Sequence, residues 1–118
     1  MTMEPTMAFA VRDRTSPGVE VLVNFGVYAG RQATQAEIER LAEWLLDEVG
    51  AVSVVSEQRH QIGAGVEASV HQVRIEVARE QVPENPFERA AVERRVVERA
   101  EHWARQCVAD RHVDVAEL

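Results

Sequence analysis

Two long runs of alternating apolar and polar residues, on either side of Gly63-Ala64-Gly65, constrain the fold more than any other feature of this sequence. Residues 51–62 and 66–79 have the period of two that is typical of β-strands, and the glycines between them favour a tight turn. Directly opposed residues of a hairpin share one face of the sheet, so apolar residues are expected opposite each other. A register that pairs Ile75 with Val54 satisfies this rule, and it requires a loop with an even number of residues or a bulge.

A strand and a helix are predicted before the hairpin. Residues 19–28 alternate with the same period and predict a half-buried strand. A helix is expected over residues 34–49, whose apolar residues recur at helical spacing. Thr34 and Glu37 have the spacing of a capping box at its start, and Gly50 favours its end.

A second helix is predicted after the hairpin. Asn85 is a suitable N-cap and Pro86 stands at the favoured first helical position, with an apolar stripe that continues to Val108. Residues 111–118 favour a short fourth strand. Residues 1–17 show no periodicity and predict a flexible N-terminal tail.

The expected order is therefore β-α-β-β-α with a short strand at its end. With right-handed crossovers, this order predicts an α+β fold, a ferredoxin-like split βαββα(β) sandwich with two helices on one face of an antiparallel sheet. We expect a single domain over residues 18–118. The order resembles that of ACT-type and PII-type regulatory domains at the level of architecture only, and a fold of this class does not define a function.

Composition excludes several classes of function. The 118 residues have a formal net charge of −7 and no basic patch, so nucleic acid is not an expected partner. No run approaches the roughly 20 apolar residues of a membrane span, and the N-terminus lacks the features of a secretory signal. Cys107 is the only cysteine, which excludes an internal disulfide and favours the cytoplasm.

The hairpin contains the candidate metal site, which consists of His60, Glu67 and His71. In the predicted register the two histidines are diagonal neighbours on one face, with Cα atoms about 7–8 Å apart, and Glu67 shares that face. Two histidines and a carboxylate with an open position are typical of zinc sites. The alternative is a solvated hairpin tip. We favour the alternative, and expect no cofactor, because zinc sites hold their ligands more rigidly than a hairpin tip does.

The loop after the first strand contains the candidate ligand-binding residues Tyr28, Gly30 and Arg31. Free backbone N–H groups at the following helix favour an anion, and the Arg31 guanidinium is suited to a carboxylate or phosphate. Gly30 allows close approach to the backbone. Ordinary capping in a short loop is the simpler interpretation.

The open face of the sheet is the candidate interface, because it is too apolar for a face that meets only water. Glu57 and Arg74 are predicted to pair diagonally across two strands of this face. Trp44, on the first helix, either covers the seam between the helices or anchors a partner. The candidate interface residues are Trp44, Val55, Val66, Val70 and Arg74.

Both predicted helices carry charged stripes. The first has Glu39, Glu43 and Asp47 at successive i, i+4 positions, and the second has three arginines. Packing the helices side by side is expected to bring these charges together. The three arginines are Arg94, Arg95 and Arg99.

These patterns favour a non-enzymatic cytoplasmic module that forms a homo-oligomer and binds a protein partner or a small anionic metabolite. No catalytic Ser/His/Asp or paired-carboxylate spacing is present, and we expect Cys107 to lack a nearby cationic partner that would make its thiol reactive. The alternative is a small, metal-assisted enzyme that uses the hairpin histidines.

Overall fold

The computed structural model of the chain describes residues 7–11, 18–63 and 66–117, and of residues 59–63, 66–70 and 110–117 it describes the main chain only. The elements in chain order are β1 (Ala8–Val11), β2 (Val19–Val23), α1 (Phe25–Ala29), α2 (Gln35–Val49), β3 (Ser53–Gly63), β4 (Val66–Val77), a 3-10 turn at Arg79–Gln81 and α3 (Pro86–Glu117).

The fold is a mixed α+β arrangement of one four-stranded antiparallel sheet and two long helices. The strand order is β1-β2-β4-β3. The ferredoxin-like order predicted from the sequence is not confirmed, because the fourth strand does not come from the C-terminal end of the chain. It is formed by residues 8–11 and lies beside β2.

Both ends of the chain therefore differ from the prediction. Residues 8–11, expected in the tail, pair with β2, and Ala8 is 2% exposed against the core. The rest of the predicted tail, residues 1–6 and 12–17, lies outside the described residues. Residues 111–117, expected as a strand, continue α3. The chain between Val108 and Leu118 contains no glycine or proline to end the helix, and this outweighs the short alternation in residues 113–115.

The predicted hairpin register is confirmed. Val54 lies opposite Ile75, and the pairing continues without a bulge to Gly63 opposite Val66. Residues 64 and 65, which lie outside the described residues, are the even number between the strands that the register requires.

The strand predicted over residues 19–28 ends early. Only Val19–Val23 is a strand, and the chain then turns into the short helix α1, which ends at Gly30 in the left-handed conformation, with φ of 71°. Phe25 is fully buried, with its ring centroid 5.1 Å from that of Trp103. Gly26 lies so close to β4 that a Cβ at this position would be 2.9 Å from the carbonyl oxygen of His71. These tertiary contacts override the local alternation.

The core lies between the sheet and the helices α2 and α3. Trp103 is fully buried at its centre, and its indole N–H donates to the carbonyl oxygen of Glu37 over 2.8 Å. Both helix starts are as predicted: Thr34 and Glu37 form a capping box, and Asn85 Oδ1 accepts from the backbone N–H of Phe87 over 2.8 Å. No helix within the described ranges is long and apolar enough to cross a membrane.

Candidate functional site

The predicted anion-binding residue Arg31 is bound by a carboxylate of its own chain. Its two terminal nitrogens donate to the two oxygens of Glu37, each over 2.7 Å, and one of them also donates to the carbonyl oxygen of Gln32 over 3.1 Å. The guanidinium carbon lies 5.4 Å from the centroid of the Phe25 ring. Arg31 therefore joins the segment after α1 to the first turn of α2, and Glu37 occupies the position where an external anion would bind.

The arrangement around Glu37 shifts the pKa values of three groups. The hydrogen bonds from Arg31 lower the pKa of Glu37 to about 2, although partial burial acts in the opposite direction. The same bonds raise the pKa of Arg31 above its ordinary value. Burial, followed by the hydrogen bond to the Glu37 carboxylate, raises the pKa of the Cys107 thiol to about 12.

Sequence reasoning missed this cluster. Arg31 and Cys107 lie far apart in the chain, and Arg31 is a cationic neighbour that the spacing around Cys107 did not reveal. Its charge lowers the pKa of the thiol, but burial and Glu37 have the larger effect, so the thiol stays protonated. One sequence feature could have predicted the ion pair: Arg31 lies in the loop before α2, within reach of the capping-box residue Glu37 in the first turn of that helix.

The other two loop residues have different surroundings. Tyr28 is half-buried, and Gly30 is exposed. A Cβ built at Gly30 meets no atom within 4 Å, so this position opens to free space. The three predicted ligand-binding residues lie within four positions of the chain, but the guanidinium of Arg31 is already paired with Glu37.

The main chain places the hairpin histidines as predicted. Gln58 lies opposite His71 and His60 lies opposite Ser69, so His60 and His71 occupy diagonal positions on one face, and Glu67, opposite Ile62, shares it. The side chains of His60 and Glu67 lie outside the described part. His71 is half-buried, and its Nδ1 is buried with no hydrogen-bond partner. Among the side chains that the structure describes, no group of three metal-ligating residues is present.

The open face of the sheet, on the side away from α2 and α3, contains a three-residue ion network. Arg74 Nε and one terminal nitrogen donate to Glu57 over 3.2 and 3.0 Å, which confirms the predicted diagonal pair. The other terminal nitrogen of Arg74 pairs with Glu20 on β2. Glu20 is only 8% exposed, and its role was missed although it lies on the same face of β2 as Leu22. The network links β2, β4 and β3 across the sheet.

Apolar and polar residues alternate around this network. Val55 is 47% exposed and Phe9 37%, whereas Gln72 is 6% exposed and donates from Nε2 to Asn24 Oδ1 over 3.1 Å. By register, the predicted interface residues Val66 and Val70 occupy the same face as Val55 and Arg74. Four of the five predicted interface residues therefore share one face.

Trp44, the fifth predicted interface residue, lies elsewhere. It borders a groove of about 350 Å³ between α2 and α3, together with Glu98, Arg99 and His102. Its ring centroid is 5.6 Å from that of His102, and its carbonyl oxygen accepts from Arg99 over 3.1 Å. Trp44 thus covers the helix–helix seam, on the opposite side of the sheet from Arg74.

Two of the arginines on α3 reach α2, but at a different carboxylate from those predicted. Arg95 and Arg99 pair with Glu48, each over 2.8 Å, and not with the predicted acidic stripe. The stripe residues Glu39, Glu43 and Asp47 are exposed.

A second groove, of about 470 Å³, lies between the edge strand β1 and α3. The described part of its lining combines apolar residues with three glutamates and one arginine. The lining residues are Phe9, Ala10, Ala90, Glu93, Arg94, Val97, Glu98 and Glu101.

Comparisons with known proteins add no assignment to this geometry: no family model, no curated protein and no solved structure matches the chain.

Proposed function

We propose that this chain is a non-enzymatic interaction module that self-associates through the outer part of its hairpin and the adjoining open face of the sheet. The observation that carries the proposal is the length of the hairpin. β2 pairs with β4 only as far as Val73, so among the described strands only β3 pairs with residues 66–72 of β4. We call residues 57–63 and 66–72 the ribbon.

A two-stranded ribbon is marginally stable in water unless another layer or strand supports it. The ribbon extends beyond β2, and β3 is an edge strand of 11 residues without proline. Natural sheets usually protect long edges with proline, bulges or very short strands. These features favour pairing with a second chain.

The chemistry of the open face supports burial by a second copy. Arg74 lies between Glu20 and Glu57, so the three charged groups leave a single net negative charge that is spread across the network. Val55 and Phe9 are exposed beside it. Two copies that pair through their ribbons would be related by a two-fold axis, so the same residues of each copy would form the interface.

The surroundings of Arg31 favour a protein partner over a small ligand. A protein partner, here a second copy, replaces the small anionic metabolite, since a ligand at Tyr28, Gly30 and Arg31 would have to displace Glu37. We place the module in the cytoplasm, in keeping with a single, unpaired cysteine.

The test is sedimentation equilibrium of the purified full chain and of two matched variants. Val55 and Leu46 are both 47% exposed, but Leu46 lies on α2, away from the ribbon. We expect a wild-type dimer, which Val55→Glu weakens at least about tenfold and Leu46→Glu leaves unchanged. A wild-type monomer at every concentration, or equal effects of the two variants, would overturn the proposal.

The metal-assisted alternative has one observation in its favour, the buried Nδ1 of His71 without a hydrogen-bond partner. A nitrogen of this kind is suited to a metal ion, and the register places His60 diagonally across from it. The test is zinc content after dialysis against zinc. His71→Ala would abolish binding, whereas His102→Ala, on α3, would not; equal zinc content in both variants removes this candidate.

A further inference from the structure

We propose that the groove between β1 and α3 binds an extended, basic peptide, which adds to the sheet as a strand beside β1. The groove lies apart from the ribbon and shares only Phe9 with the exposed residues of the open face named above, so this inference does not depend on self-association.

The hydrogen-bonding pattern of β1 identifies its free edge. Asn24 N–H donates to the carbonyl oxygen of Met7 over 2.8 Å, and in the β1–β2 register these two residues are directly opposed. Hydrogen-bonded and non-hydrogen-bonded pairs alternate in an antiparallel ladder. Phe9 and Val11 therefore point their backbone groups toward β2, and Ala10 points its N–H and C=O away from the sheet.

Ala10 borders the groove and is half-buried, so a ligand in the groove would lie beside its outward groups. Within the described ranges, no strand lies on the outer side of β1. A peptide strand at this edge gains main-chain hydrogen bonds in the same way as other strand-addition complexes.

The charges of the groove select the occupant. Among the lining residues that the structure describes, three are glutamates, Glu93, Glu98 and Glu101, and one is an arginine, Arg94. Glu101 also lies 3.9 Å from Arg105 on the same helix, and the chain as a whole has a formal net charge of −7. A second copy would oppose the same acidic residues, whereas arginine or lysine side chains of a peptide would complement them. Their aliphatic stems fit against the small apolar residue Ala90 and the half-buried Val97.

The test uses a short, blocked, fluorescent peptide of alternating arginine and valine, measured by fluorescence polarisation with the full chain. Three peptides separate the contributions of charge and backbone. Glutamate in place of arginine removes the charge complementarity, and N-methylation of alternate residues removes the main-chain donors while the charge stays the same. We expect binding of the parent peptide only.

Variants of the protein locate the site. Ala10→Pro deletes the outward N–H, and proline is tolerated at edge positions whose N–H is not in the ladder. We expect it to weaken binding about tenfold, as does the loss of one well-formed hydrogen bond. The double variant Glu98→Gln/Glu101→Gln should weaken binding by a similar factor.

The matched control is Glu43→Gln/Asp47→Asn, which removes the same charge from an exposed stripe on α2 outside the groove. Equal weakening by this control and by the groove variant would show general electrostatic attraction and overturn the proposal. Full binding of the N-methylated peptide would also overturn it, and this result does not depend on whether Ala10→Pro folds.

Discussion

The guanidinium of Arg31 and the carboxylate of Glu37 are joined by two parallel hydrogen bonds of 2.7 Å each. Glu37 also completes the capping box of α2, and its carbonyl oxygen accepts the indole N–H of Trp103 on α3. One glutamate thus connects the segment after α1, the start of α2 and the middle of α3. The first three predictions concern this connection.

Replacement of Glu37 by glutamine should destabilise the fold by about 1–3 kcal/mol, since hydrogen bonds to a charged group are lost while the partner remains half-buried. Glutamine preserves the capping-box geometry, so the loss reports on the ion pair. Urea unfolding measures the change. Glu39→Gln, on the exposed side of the same helix, is the control and should change stability by less than about 0.5 kcal/mol. An equal loss in both variants would contradict the assignment.

The contribution of Glu37 should depend on pH in a defined window. Its pKa of about 2 in the fold lies below the ordinary value of 4.5, so the unfolded chain takes up the proton first. The stabilisation is fully present above pH 4.5 and disappears as the pH falls toward 2. Urea midpoints of wild type and Glu37→Gln, measured against pH, should converge as the pH falls through this window. Parallel curves would show that another group dominates.

Cys107 should be unreactive in the folded protein. It is fully buried, and its pKa of about 12 leaves almost no thiolate at neutral pH. Ellman's reagent should therefore react no faster than the protein unfolds, and at once in concentrated urea. Because the chain has one cysteine, the absorbance change reports on this thiol alone. Rapid reaction without denaturant would disprove the inertness of Cys107.

Arg74 should matter for stability because it neutralises Glu20, which is 8% exposed on the open face. Arg74→Met leaves that carboxylate without its cation and should cost about 2 kcal/mol, less than a fully buried pair because Arg74 retains some contact with water. The double variant Glu20→Gln/Arg74→Met should recover most of the loss. Arg94→Met, which removes an exposed arginine from α3, is the control in the same urea titration. A double variant as unstable as Arg74→Met would argue against charge as the cause.

The sequence by itself determined the features that neighbouring residues specify. Thr34 and Glu37 form the capping box within one helical turn. The alternation of apolar and polar residues in the two hairpin strands was sufficient to predict that Val54 lies opposite Ile75. The same register predicted the pair between Glu57 and Arg74. Such features follow from backbone geometry and adjacent side chains, so a local pattern is sufficient to predict them.

The tertiary structure decided the features that depend on distant partners. Phe25 leaves the strand pattern because its ring packs on Trp103, and residues 8–11 become a strand because β2 offers them a free edge. The pairing of Arg31 with Glu37 likewise depends on how α1 meets α2. In each case the local pattern permits more than one conformation, and burial against residues far away in the chain selects the one that forms.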